Sequence, residues 1–274
     1  MDRIKQILDA KEEANEFEHV ELGAFESIEF KEVWYKYPNE ENYALQGLNL
    51  KIDKGQTVVI LGPTGSGKST LVKLLLRFYD LEKGEILVNG INIDSIDKSV
   101  LRRKIGLVLQ DAFLFTETVG GNIAYAQKKA EQREILEAAA WSSLLEVETI
   151  FSDGYNTMVG EKGVTLSGGQ KQRVSLARTL LQDPDILILD DVTSAVDTGT
   201  EGEILKNIEG QGQGKTTLII SHRLTVVPFA DKIVVMEKGK VSASGNHQEV
   251  LELSSFYKQI HRIQNVLESE IGEL

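Results

Sequence analysis

Apolar and polar positions change period from one segment to the next along this chain. Ile4, Ile7 and Leu8 fall at helical spacing, and an acidic, featureless stretch runs on to Glu21; this reads as a short helix and a linker. Strand alternation starts near Ser27. Ile28 and Phe30 are out of phase with Val33, Tyr35 and Tyr37, which predicts a bulge or turn between them. Residues 48–52 alternate next, and a turn follows at Lys54-Gly55. The run 57–61 is continuously apolar, as a buried strand would be, and a glycine-rich segment and a helix from 68 to about 78 come after it. Further strands are expected at 86–88 and 105–109. Residues 128–150 carry Ile135, Leu136, Ala139, Ala140, Leu144 and Leu145 on a wide helical face. A second helix, from about 168 to 182, stops at Asp183-Pro184, because the residue before a proline is pushed out of helical geometry. Strands at 186–189, 217–220 and 233–236 alternate with a helix near 201–208. A hairpin turn at Lys238-Gly239 and a helical C-terminus from about 247 to 268 complete the pattern. Buried strands alternating with helices predict an α/β fold with a parallel sheet and a helical insertion between its halves.

Composition narrows the function by exclusion. The 274 residues can bury one large core or two small ones. Lys+Arg 30 against Asp+Glu 42 leaves a net charge of −12, which repels a phosphate backbone. The densest basic run, Arg102-Arg103-Lys104, is too short to line a groove, so nucleic acid is not an expected partner. The absence of cysteine removes disulfides and thiolate metal sites and fits the cytosol, and four scattered histidines argue against a His-built metal site. No stretch approaches the roughly 18 apolar residues of a membrane-spanning helix. Met1-Asp2-Arg3-Ile4-Lys5 lacks the apolar segment of a secretory signal. The chain reads as soluble and cytosolic, with any membrane role reached through a partner.

Three motifs carry chemistry. Gly62-Pro63-Thr64-Gly65-Ser66-Gly67-Lys68-Ser69, continued by Thr70, is a phosphate-binding loop of the form G-x-x-x-x-G-K-[ST]. Its glycines let successive backbone N–H groups converge on the β- and γ-phosphates at a helix N-terminus. Lys68 would meet those phosphates and the Ser69 hydroxyl would ligate Mg²⁺. Ile186-Leu187-Ile188-Leu189 then delivers Asp190 and Asp191 to the carboxyl end of a buried strand, where ligands sit in open α/β sheets. Asp190 is the candidate to hold Mg²⁺ through water. Thirdly, Leu166-Ser167-Gly168-Gly169-Gln170 opens the helix before that strand. Ser167 and the Gly168 and Gly169 amides form a second helix N-terminus suited to a γ-phosphate.

The third motif, continued by Lys171-Gln172-Arg173, resembles the signature of ATP-binding cassette (ABC) proteins. The resemblance spans about residues 26–265. It implies a P-loop NTPase with a RecA-like core, an antiparallel β subdomain and an inserted helical signature subdomain at about 111–182. Residues 1–25 would then be a linker and 266–274 a tail. ATP and Mg²⁺ are the implied ligands, and two domains would face head to tail, each lending its signature to the other's nucleotide. In that reading Tyr37 stacks on adenine, and Gln110 touches Mg²⁺ and the attacking water. Ser194-Ala195-Val196-Asp197 resembles the loop that crosses the dimer interface, and His222 resembles the histidine that contacts the γ-phosphate.

Within the family, Val159-Gly160-Glu161-Lys162-Gly163 and the segment from Gln110 to Ile123, with Phe113-Leu114-Phe115, resemble exporters, whose transmembrane domains dock here. Residues 3–9 resemble the junction of a half-transporter, so Met1 reads as a cut in a longer membrane protein or the start of a separately encoded subunit. This places the domain on the cytoplasmic face of a membrane. A soluble ABC machine for DNA repair or ribosome work fits less well: repair types need a long inserted coiled coil, and ribosome types carry two cassettes. A nucleotide switch with little turnover is the other alternative. One position departs from the pattern: Asp191 stands where most active members carry glutamate, the base for the attacking water. Its carboxylate is drawn back by ~1 Å, a displacement that can cost roughly a hundredfold in rate. The same substitution occurs in heterodimeric exporters with one slow site. A homodimer that accommodates aspartate is the competing reading.

Overall fold

The computed structural model describes residues 22–145, 147–160, 165–192, 196–210 and 215–271. The helix expected near Ile4 lies outside them, as do Glu161 to Gly163, Ser194 and Ala195. In chain order, β1 (Ser27–Tyr35), β2 (Leu45–Asp53) and β3 (Thr57–Leu61) lead into α1 (Lys68–Leu75). Then come β4 (Lys83–Val88), β5 (Ile91–Asn92), α2 (Lys98–Lys104) and β6 (Ile105–Val108). The insertion holds β7 (Glu117–Thr118), α3 (Val119–Ile123), α4 (Gln132–Trp141), α5 (Val147–Ile150) and β8 (Met158–Val159). The chain returns through α6 (Gly168–Leu181), β9 (Ile186–Asp190), α7 (Thr198–Gly210) and β10 (Thr216–Ile220). It closes with β11 (Lys232–Glu237), β12 (Lys240–Gly245), α8 (His247–Leu253) and α9 (Ser255–Ile271).

The central sheet has the order β12-β11-β3-β10-β9-β6, and only β12 is antiparallel to its neighbour. Both faces are covered, which is why these strands read as unbroken apolar runs. In β3, Val58 and Ile60 enter one core while Val59 and Leu61 enter another. The first core lies under the antiparallel sheet β2-β1-β4-β5 and α1; the second is closed by α6 to α9. A third, helical core gathers Val119, Ile123, Ala138, Ala139, Leu166 and Val174. This is the expected P-loop NTPase plan, with its β subdomain and inserted helical part. No helix among the described residues is long and apolar enough to cross a membrane.

Local features follow the sequence closely. The phase slip in β1 is a bulge, with Glu32 at φ 47° and a register shift between Phe30 and Val33. The expected long helices are subdivided. The 128–150 segment breaks after α4, where Ser143 takes φ 54°. The C-terminal helix breaks at Ser254, whose hydroxyl accepts the Tyr257 N–H at 3.1 Å and so caps α9 afresh.

Candidate functional site

Parallel register brings the carboxyl ends of β3, β6, β9 and β10 to one edge of the sheet. An open cleft of about 230 Å³ lies there, lined by residues 64–70 with Gln110, Asp190, Asp191, Ile220 and His222. Three expected segments from distant parts of the chain therefore meet the phosphate loop. Backbone crowding sets the loop's shape. Gly62 has φ +154°, and a Cβ there would fall 2.1 Å from the Met236 carbonyl oxygen. At Gly67, with φ +101°, a Cβ would fall 2.7 Å from the Ala44 oxygen. No side chain fits at either position. Gly67 begins α1 with no side-chain cap, so the first-turn amides gain no acceptor from a capping side chain.

Lys68 is buried and folds back over the loop, donating from Nζ to the Gly62 oxygen at 2.7 Å and the Pro63 oxygen at 3.0 Å. Burial pulls its pKa below the ordinary lysine value, against the pull of Asp190 and Asp191. Burial pushes the Asp190 carboxyl upward, opposed by its bond to Ser69 and by Lys68. Ser69 Oγ donates to Asp190 Oδ1 at 3.4 Å. These are hard oxygen donors, and the described residues hold no cluster of three or more His, Cys, Asp or Glu that could cage a metal alone. That donor set suits Mg²⁺, which takes one or two protein oxygens and completes its shell with phosphate and water. Asp191 leaves β9 at φ 52°, its N–H held by the Ile220 oxygen at 2.9 Å. Aspartate tolerates this left-handed conformation better than most residues. Gln110 and His222 are exposed in the cleft.

Other expected site residues stand outside the cleft. Tyr37 does not line it but reaches its rim, its hydroxyl bonded to Thr70 Oγ1 at 3.0 Å and its ring packed edge-on against Tyr35 and Tyr79. Ser167, Gly168, Gly169 and Gln170 are also elsewhere. Ser167 caps α6, accepting the Gln170 N–H at 3.2 Å, while Gln170 Oε1 accepts the Ser167 N–H at 2.9 Å. The Asp197 carboxylate accepts the N–H and the hydroxyl of Thr200 at 2.9 and 2.8 Å, and these bonds hold its pKa down.

The sequence did not reveal the contacts that brace these parts. Gln172 donates to the Gln110 backbone oxygen. Arg178 grips the Phe113 oxygen and the Asn122 oxygen and side chain while lying over the Phe115 ring. Buried Glu201, on α7, accepts the Thr225 hydroxyl just past His222. Gly239 donates to the Ser66 oxygen at 3.1 Å, so the β11–β12 turn supports the phosphate loop from below. No short motif advertises such contacts, since each partner lies far away in the chain.

Comparison with known proteins places these features. The family described as ABC transporter matches residues 45–194, more than half of the chain. YgaD of Bacillus subtilis (strain 168), provisionally named a multidrug export ATP-binding/permease protein, is 44% identical over 239 residues, covering 87% of this chain and 41% of its own length. The ATP-dependent lipid A-core flippase of Escherichia coli (strain K12) is 42% identical over 259 residues, covering 94% and 44%. A bacterial Atm1-family ABC exporter solved with ATP bound superposes with a TM-score of 0.89 at 35% identity, over 96% of this chain and 47% of that one. The chain thus spans about two-fifths of the length of the curated relatives it matches.

Proposed function

The chain belongs to the ABC transporter family, and from that premise we propose that it is the ATP-hydrolysing domain powering export across a membrane. It works on the cytoplasmic face, attached to transmembrane domains and paired head to tail with a second ABC domain. Residues 26–265 form this domain, 111–182 its helical subdomain, 1–25 a linker and 266–274 a tail. The observation that carries the reading is the single cleft in which the phosphate loop, Asp190, Asp191, Gln110 and His222 converge. The ATP-binding relatives and the ATP-bound exporter neighbour support it.

In this reading the amides of residues 64–69 hold the β- and γ-phosphates of ATP. Lys68 trades the Gly62 and Pro63 carbonyls for phosphate oxygens. Mg²⁺, when bound at Ser69, Asp190 and Gln110, neutralises phosphate charge. Tyr37 supports the adenine, and His222 donates to the γ-phosphate. Asp191 takes the proton of the attacking water as the water oxygen bonds to phosphorus; the bond to the bridging oxygen breaks, and ADP leaves with its electron pair. Ser167, Gly168, Gly169 and Gln170 complete the partner's site, and Asp197 lies where the two chains cross.

The site's own turnover is slow. Asp191 is one methylene shorter than the usual glutamate, and the bond from its N–H to Ile220 keeps the backbone from advancing to compensate. The partner is accordingly a different chain with the fast site, served by this chain's intact signature. The experiment is Mg²⁺-dependent ATP turnover by the purified chain before and after Asp191→Glu. A gain of at least about tenfold is expected, within the roughly hundredfold that a misplaced base can cost. Brisk wild-type turnover with no gain would point to a homodimer that accommodates aspartate.

A further inference from the structure

We infer that Gln172 is a positioning residue that ties Gln110 to the signature helix, so that the placement of Gln110 in the cleft follows α6; the catalytic part of this rests on the function proposed above. Gln172 is 4% exposed, and its Nε2 donates to the Gln110 oxygen at 2.9 Å across 62 residues of sequence. Its Oε1 is buried with no hydrogen-bond partner. An apolar side chain of similar length would fill this space without that desolvation cost, so the amide is kept for its donor. The opposite amide orientation would set two oxygens against each other, so only this one makes the bond.

A second grip shows that the segment is drawn along the helix. Arg178 donates from Nη1 to the Phe113 oxygen at 3.1 Å. Gln172 and Arg178 lie six residues apart on α6 and hold Gln110 and Phe113, three residues apart in the loop. The loop segment is therefore gripped at both ends by one helix. Gln110 faces the chain's own cleft, while Ser167 begins the helix that carries Gln172. Through this amide, a shift of α6 reaches Gln110.

The test is Gln172→Met in the full chain, read two ways. Without nucleotide, hydrogen exchange should quicken several-fold across residues 109–115 and stay unchanged across 62–75. With Mg²⁺-ATP, kcat should fall about tenfold while ATP affinity holds within about twofold, and Gln110→Ala/Gln172→Met should be no slower than Gln110→Ala alone. Unchanged exchange at 109–115, or a double variant slowed by the product of the single effects, overturns the inference. Should wild type neither bind nor hydrolyse ATP, the proposed function fails instead, and the exchange result alone decides whether the tie exists.

Discussion

Two helices in this chain begin at glycine-rich turns, α1 after Gly67 and α6 after Ser167, and their first turns are satisfied in different ways. Gly67 offers no side-chain cap, the Met236 and Ala44 carbonyls leave no room for a side chain at Gly62 or Gly67, and Lys68 has only loop oxygens to hold. Ser167 and Gln170 cap each other in a reciprocal box, at an end left largely exposed. The first is a cradle whose amides and cation face an open cleft of the same chain. The second is stable as it stands and presents its Ser167 and Gly168 outward. In the function proposed above, this difference would divide the labour: the α1 end would hold the chain's own ATP, and the α6 end would be one wall of a site built on another chain.

Removing the cation from the cradle gives the largest expected effect. Lys68→Ala should weaken ATP binding about a hundredfold, as expected for loss of a charge-assisted contact to phosphate, in a titration with a fluorescent nucleotide. Unchanged affinity would break the comparison at its stronger half. The smallest effect concerns stability. Burial raises the Asp190 pKa, so the folded state binds its proton more tightly than the unfolded one does. The contribution of this group is greatest in acid and is lost as pH rises through the raised folded value. Asp190→Asn keeps the acceptor for Ser69 without the charge. It should raise the nucleotide-free Tm at neutral pH by about 1–2 °C, after allowance for solvent screening. The gain should vanish in acid; a gain that persists there would mean that burial of the charge is not its source.

The phosphate loop, the strand ending in Asp190 and the Ser167 helix start were legible because each motif is contiguous and its chemistry follows from local geometry. The parallel sheet was legible from apolar runs too continuous for a half-exposed strand. Gln110 and His222 took their meaning from resemblance, since a lone glutamine or histidine at a strand end has no local signature. The bracing by Gln172, Arg178 and Gly239 was not legible, because those bonds form only after distant elements pack. The pairing of Glu117 and Thr118 with Met158 and Val159 is too short to show a period. The break at Ser254 was missed because serine is unremarkable within an apolar helical pattern until its hydroxyl is seen to cap the next helix.

The division between a complete cradle and a lent wall is tested most directly by light scattering with Mg²⁺-ATP added and withheld. Wild type should be monomeric without nucleotide and, with a second copy standing in for the fast-site partner, dimeric with it. Ser167→Arg, which plants a bulky cation on the lent wall, should bind ATP within about twofold of wild type and stay monomeric. Equal mass with and without ATP, or a Ser167→Arg variant that dimerises like wild type, would contradict it.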